Sequence, residues 1–550
     1  MSPNSRYIFG FCILFLLLAA CSPNASPSVS VTPGPTRTLL PATATVNPSP
    51  VSTVTNRVDP LVVLSLFDGW NAHLFTYSTS IAAFTQLTAD PWDDITPAIS
   101  PDGKKLAFAS RRNGYWDLYL LNLETGETTR LTDTPEYEAA PSWSPDGRWL
   151  VHEMYIDGNL ELVVRSVTDL EQAAIRLTES PAADHSPDWS PQGRQIAFVS
   201  NRGGESEIWI ADLDKTDEDR YLNVSNNTRG AENLPAWSPD GMWLAWSVAS
   251  YETGLSSIVL LDNRQPQFPP RYLGDGNWPV WLDSSRLLTR FSIPNQSFFN
   301  LYAVPSGEVI QTLVPLPGTL RGLAAAGASL GFDSLQGLEV SPVPPLVVPV
   351  TATPDPELPV GRSVLVEIPD TQALHSHLHD DVDEAFGALR ERVALEAGWD
   401  ALASLENAFV PLTTPLDPGL GEDWLYTGRA FVINSLLVQA GWVAAVPDEY
   451  GQQTYWRVYL RCRAQDGSMG EPLHQIPWDF MARYSGNPAA YDQGGARMSE
   501  IPAGYWVDLT ALAQAYGWER LPALPNWRVY FNGARLGEFV ITSGLDWYSA

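Results

Sequence analysis

Carboxylates outnumber basic side chains 63 to 33 in this chain of 550 residues, a net charge of −30, and so acidic a surface repels nucleic acid, which is excluded as a partner. Three cysteines, Cys12, Cys21 and Cys462, are too few for a disulfide scaffold or a thiolate zinc site. The length accommodates two or more domains with ordinary cores.

Residues 1–20 read as an export signal. Arg6 precedes the apolar run YIFGFCILFLLL (Tyr7 to Leu18), which is too short to span a bilayer comfortably. The run ends in Leu18-Ala19-Ala20-Cys21, which resembles a bacterial lipobox. The resemblance implies cleavage before Cys21, a diacylglycerol on its thiol, and a lipid-anchored, extracytoplasmic place in the cell envelope. Residues 21–57 are rich in Pro, Ser and Thr and cannot bury a core, so they are expected to form an extended tether. A second proline-rich stretch, 342–360, reads as a linker between a domain at 58–341 and another at 361–550.

Within 58–341 the sequence repeats. Ser-Pro-Asp-Gly occurs at Ser100, Ser144 and Ser238, with Ser-Pro-Gln-Gly at Ser190, at spacings of 44, 46 and 48 residues. Upstream of each stands PAIS, PSWS, PDWS or PAWS; downstream come the strand-like runs KLAFAS, WLVHEM, QIAFVS and WLAWSV. A second run follows each of these (DLYLLNL, ELVVRSV, EIWIADL, SIVLLDN). Four short strands in a period of about 45 residues is the pattern of a propeller blade. The quartet itself is a turn: Pro presets φ, Asp suits the next position, and Gly accepts the left-handed conformation.

These motifs resemble the TolB-like propellers built from WD40-like PD40 repeats, whose blades read P-x-W-S-P-D-G. The resemblance implies an all-β propeller and a non-catalytic role in binding a protein or peptide. The unit at 278–291 keeps the frame with Asp283-Ser284-Ser285 in place of the turn, and residues 61–88 have later strands but no quartet. If residues 320–334 supply the missing first strand the count is six blades; if 318–341 form a blade of their own it is seven. The one Gly-x-Ser-x-Gly match, GASLG at 327–331, falls inside the run 320–334 read as a strand rather than at a strand-to-helix turn, so a serine-hydrolase reaction is not expected. Three residues before each blade proline stand Asp94, Glu138, Asp184 and Glu232. They are expected to ring one mouth of the channel as a negative funnel for a basic peptide or a cation; the alternative is that each bonds to a neighbouring blade.

Residues 361–550 read as an α+β domain of unknown function. Val382, Phe386, Leu389, Val393 and Ala397 make a helical stripe, with Asp380 or Asp381 as its cap and Gly398 after its end. A second helix is expected over DALASLENAF (400–409), a third over LTALAQAYGW, and strands over TYWRVYLRCR and EFVITS. His375, His377 and His379 would share one face of an extended segment, a candidate metal site. Arg457, Arg461 and Arg463 share one face of TYWRVYLRCR, a candidate anion patch. Nine of the 21 tryptophans lie in this part, and Trp faces also stack on sugars. Nothing in the chain calls for a cofactor. The alternative to a binding scaffold is therefore a cell-wall or glycan-binding protein, or an envelope hydrolase, with its site in this domain; His474, Asp479 and the three arginines qualify for it by residue type alone.

Overall fold

The computed structural model describes residues 60–326 and 364–547 apart from 81, 228, 417, 418, 420 and 422, together with 341–342, 350, 352–353 and 549. Cys21, the tether and most of the second proline-rich stretch lie outside the described residues. Among the described residues no helix is long and apolar enough to cross a membrane.

Six antiparallel sheets occupy the repeat region, each starting from an inner strand: Thr319–Ala325, Asp94–Ile99, Glu138–Trp143, Asp184–Trp189, Gly230–Trp237 and Asn277–Asp283. Each inner strand packs on the next, and the cycle closes where Thr319–Ala325 meets both Asn277–Asp283 and Asp94–Ile99. That closing strand pairs with Val62–Phe67, so one sheet is assembled from both ends of the region, with Ser341–Pro342 on its outer edge. Joining distant parts of the chain in one sheet leaves the ring without an open seam.

The repeated quartet sets the hairpins. In three copies the serine hydroxyl donates to the aspartate at 2.6 Å (Ser100–Asp102, Ser144–Asp146, Ser238–Asp240). The same hydroxyl accepts the N–H that opens the next strand, at 2.9–3.0 Å from Lys105, Trp149 and Trp243. The blade proline explains a second regularity. Proline lacks a ladder N–H and is tolerated in a strand at a bulge. The residue before each proline has positive φ (Thr96 48°, Ala140 49°, Ser186 51°, Leu234 54°, Trp278 54°), and the register shifts there. In the closing strand Gly322 approaches Thr96 and Pro97 so tightly that a Cβ would lie within 2.4 Å of Pro97.

The C-terminal part contains two four-stranded antiparallel sheets. One orders Leu405–Asn407, Ala430–Ile433, Glu538–Val540 and Glu519–Arg520; the other orders Val443–Tyr450, Gln453–Arg461, Tyr505–Asp508 and Glu471–Pro472. Helix α1 (Asp383–Ala397) buries Phe386, Leu389, Val393 and Ala397 and ends on left-handed Gly398. Helix α2 (Leu509–Ala515) is capped by Asp508, which accepts from Ala511 N at 2.9 Å. Two expectations fail. Helix α1 begins after Val382 with no side-chain cap, because Asp381 is drawn instead to Arg429. Residues 400–409 are turn and strand rather than helix, since Leu405–Asn407 pairs with Ala430–Ile433 and Leu405 enters the core: tertiary pairing overrides a weak helical preference.

The core does not stop between the two parts. One apolar cluster runs from Phe386, Phe431 and Trp518 through Val458 and Tyr505 to Trp116, Tyr137 and Trp143 of the sheet ring. The described residues beyond Val58 form one compact unit.

Candidate functional site

The bulged inner strands enclose a cavity of about 850 Å³. The turn prolines Pro101, Pro145, Pro191 and Pro239 line it, and so do Val446, Pro447, Arg457, His474 and Arg497 of the C-terminal part. A smaller cavity of about 250 Å³ shares Arg321, Arg457, Glu471 and His474 with it and extends between the two parts. In four of the five proline-bearing inner strands the residue two before the proline lines the larger cavity (Ile95, His185, Asn233 and Asn277), as does Arg321 beside Gly322.

At this end a titratable cluster joins the sheets to the C-terminal part. His474 Nε2 lies 2.8 Å from Glu153 Oε1, the Tyr137 hydroxyl donates to the same oxygen at 3.3 Å, and Ser186 N donates to Oε2 at 2.9 Å. His185 stands edge-on to His474 with ring centres 5.1 Å apart, and its Nδ1 is 3.0 Å from Ser186 Oγ. Burial opposes the charge on Glu153, but His474, His185 and the Ser186 N–H outweigh it and hold the carboxyl down at about 2. Burial, with His474 close by, pushes His185 down to about 3, leaving a neutral imidazole. Burial also works against a charge on His474, yet Glu153 and then Glu471 raise its pKa. Among the described residues, Glu153, His185 and His474 are the one group of His, Cys, Asp and Glu ligand atoms that all lie within 4.8 Å of one another.

Ion pairs surround the cluster. Arg111 bridges Asp93 at 2.6 Å and Glu396 at 2.9 Å, Arg321 pairs with Glu471, and Arg457 pairs with Asp508 at 2.6 Å. Arg290 differs. Its Nε donates to Asn277 Oδ1 at 2.8 Å, it lines the larger cavity, and it forms no ion pair among the described residues. Burial, then the neighbouring Arg457, lowers its pKa to about 10.

The four acids read as a channel ring are otherwise engaged. Asp94 and Asp184 are fully buried and paired with Arg112 at 2.9 Å and Arg202 at 2.6 Å. Glu138 accepts from Thr134 at 3.1 Å, and Glu232 from Ile208 N and the Asn227 amide at 3.2 Å each. Only Glu232 lines the cavity, so no funnel of four free carboxylates forms; the sheets need these groups to bind their own edges. Of the arginine patch, Arg457 reaches both cavities, Arg461 lies over the Trp506 ring at 5.8 Å, and Arg463 is exposed beyond the strand end. His377 and His379 lie on a short strand; His379 Nδ1 accepts from Asp381 N at 3.1 Å and His375 packs on Phe409. These three histidines do not converge as a ligand group among the described residues.

Glu153 and His185 had a signal in the repeats. Where the first, third and fourth quartet-bearing units place Ala109, Val199 and Ser247, the second has Glu153; where the others place Ile95, Ala139 and Asn233, the third has His185. Each is a polar departure at an otherwise apolar or neutral position of the blade.

Residues 82–268 match the family model PD40, the TolB beta propeller domain, and the ring is TolB-like. No match is found among curated proteins. Similar solved structures include TolB from Acinetobacter baumannii (18% identity, 50% of this chain and 68% of that one, TM-score 0.44). Putative TolB from Agrobacterium tumefaciens is similar at 19% identity over 40% of this chain and 90% of that one, TM-score 0.30. An oligogalacturonate lyase in complex with manganese is similar at 15% identity over 46% of this chain and 77% of that one, TM-score 0.34.

Proposed function

We propose that this chain is a lipid-anchored cell-envelope protein whose six sheets are the blades of a propeller that binds a protein segment or peptide without chemically changing it. The C-terminal residues 361–550 act, in this reading, as an α+β cap that shapes one end of the binding chamber. The single observation that carries it is the 850 Å³ cavity, walled by prolines, tryptophans and a few placed polar groups. Such a composition suits a ligand site, in which apolar surface supplies contact and a small number of polar groups fix orientation. Arg290 identifies the polar feature sought: a guanidinium facing the chamber without a carboxylate partner attracts one from the ligand. The ligand is therefore an acidic peptide or a chain end bearing a free carboxylate, rather than the basic peptide that an acidic ring would have drawn.

Fluorescence anisotropy with two short labelled peptides of opposite charge tests this on the full chain. The acidic peptide is expected to bind, with affinity falling as salt rises and falling about tenfold (about 1.4 kcal/mol) in Arg290→Leu. Preference for the basic peptide, or indifference to Arg290→Leu, sinks the reading.

A further inference from the structure

We propose that Glu153, His185 and His474 together hold a divalent transition-metal ion of the zinc class, clasped between the sheet ring and the C-terminal part. Two imidazoles and a carboxylate are a donor set suited to zinc and its neighbours. The three residues come from different elements: Glu153 from strand Trp149–Ile156, His185 from the bulged strand Asp184–Trp189, His474 from the segment after Glu471–Pro472. Their ligand atoms lie within 4.8 Å of one another. Tetrahedral zinc ligands stand about 3.4 Å apart, so a small closure brings them to a common centre.

The surroundings orient the donors as metal ligands require. Ser186 Oγ lies at His185 Nδ1; in the tautomer with the proton on Nδ1 this hydroxyl accepts it and Nε2, which makes no hydrogen bond with the described residues, is the free lone pair. Ser186 N and the Tyr137 hydroxyl hold the Glu153 carboxylate, the kind of outer partner that fixes a ligating carboxylate. Glu153 and His185 are 1% and 2% exposed, which accounts for retaining them only if their polarity is used. The Glu153–His474 contact alone satisfies two of the three groups and leaves His185 without a purpose. All three line the 850 Å³ chamber, so a fourth position opens towards whatever occupies it. The inference stands apart from the charge of the chamber's ligand.

The test is metal analysis on the full chain, stripped with a chelator and dialysed against buffer with zinc, then with cobalt as a spectroscopic probe. One ion per chain is expected, with cobalt d–d bands of low-symmetry coordination; His474→Gln and Glu153→Gln each lower affinity at least a hundredfold. The double variant His375→Ala/His377→Ala keeps full binding. In the unaltered protein, zinc is expected to protect His474, the partly exposed ligand, from diethyl pyrocarbonate, read by mass spectrometry, which answers the question even if a variant fails to fold. Absence of a stoichiometric ion, unchanged labelling of His474, or loss of binding only in the His375/His377 variant overturns the assignment.

Discussion

Glu138 shows how a single repeat position trades charge for structure. Its carboxyl is fully buried in the inner strand and faces Thr132, Thr134, Arg165 and Asp117. Burial outweighs the two threonines and Arg165 and raises its pKa to about 7, from an ordinary 4.5. A carboxyl with a raised folded-state pKa favours folding most below its unfolded value, and that contribution is lost as pH rises towards the folded one. Between about pH 4.5 and 7 this residue alone therefore tilts stability downward, by about 3 kcal/mol at most. Glu138→Gln removes the tilt: in urea titrations at a series of pH values, the variant should gain on the parent as pH rises through that window. A parent whose advantage grows towards pH 7 would contradict the burial argument. Asp188, also buried and raised to about 7, adds a slope of the same sign that persists in the variant.

At the scale of the element, the Ser-Pro-Asp-Gly turns carry their own test. Asp146 accepts from Ser144 Oγ at 2.6 Å and from Arg148 N at 3.0 Å, while Gln192 in the variant turn reaches across to the Asp240 carbonyl at 3.0 Å. Asp146→Ala should cost about 1–2 kcal/mol in a urea titration, for two lost turn bonds, and Gln192→Ala clearly less. Equal costs would mean that the turn's own bonds do not stabilise it. This level of the structure was legible because a blade's turn, strands and bulge are local: proline, aspartate and glycine act on their own neighbours. The stripe of α1 and the strand over TYWRVYLRCR were legible for the same reason. Residues 400–409 were not, because their pairing with Ala430–Ile433 lies well along the chain. The candidate site was half legible. His474 stood out by residue type alone, whereas Glu153 and His185 depart from their repeat positions without having been read as site residues; the 321 residues between His474 and Glu153 lie beyond any periodicity, and the acidic ring misled because regular spacing within the repeat marks the scaffold's own bonds as readily as a site.

On the scale of the whole molecule, the junction between the sheet ring and the C-terminal part behaves as interior. Trp116, just before strand Asp117–Asn122, is 3% exposed and donates from its indole to the Gly470 carbonyl at 3.0 Å. The Tyr155 hydroxyl accepts from Gly504 N at 2.6 Å, and the Gln514 amide donates to the Asn295 carbonyl at 2.7 Å. Arg111 lies between Asp93 and Glu396 with its guanidinium largely out of solvent. Splitting the parts would strand these groups in water-poor pockets and open the apolar cluster that both share. Cooperative units follow buried contacts rather than sequence segments, so the ring and the C-terminal part should melt together. Calorimetry of the full chain is expected to show one main transition, and Trp116→Ala, which removes about 3–5 kcal/mol of packing, should move all of it to lower temperature. Two transitions, of which Trp116→Ala shifts only one, would mean that each part holds a self-sufficient core and that the chamber between them opens without unfolding either. A single moving transition instead makes the chamber a fixed feature of the fold, so that a ligand reaching Arg290 enters through the ring and not by parting the two halves.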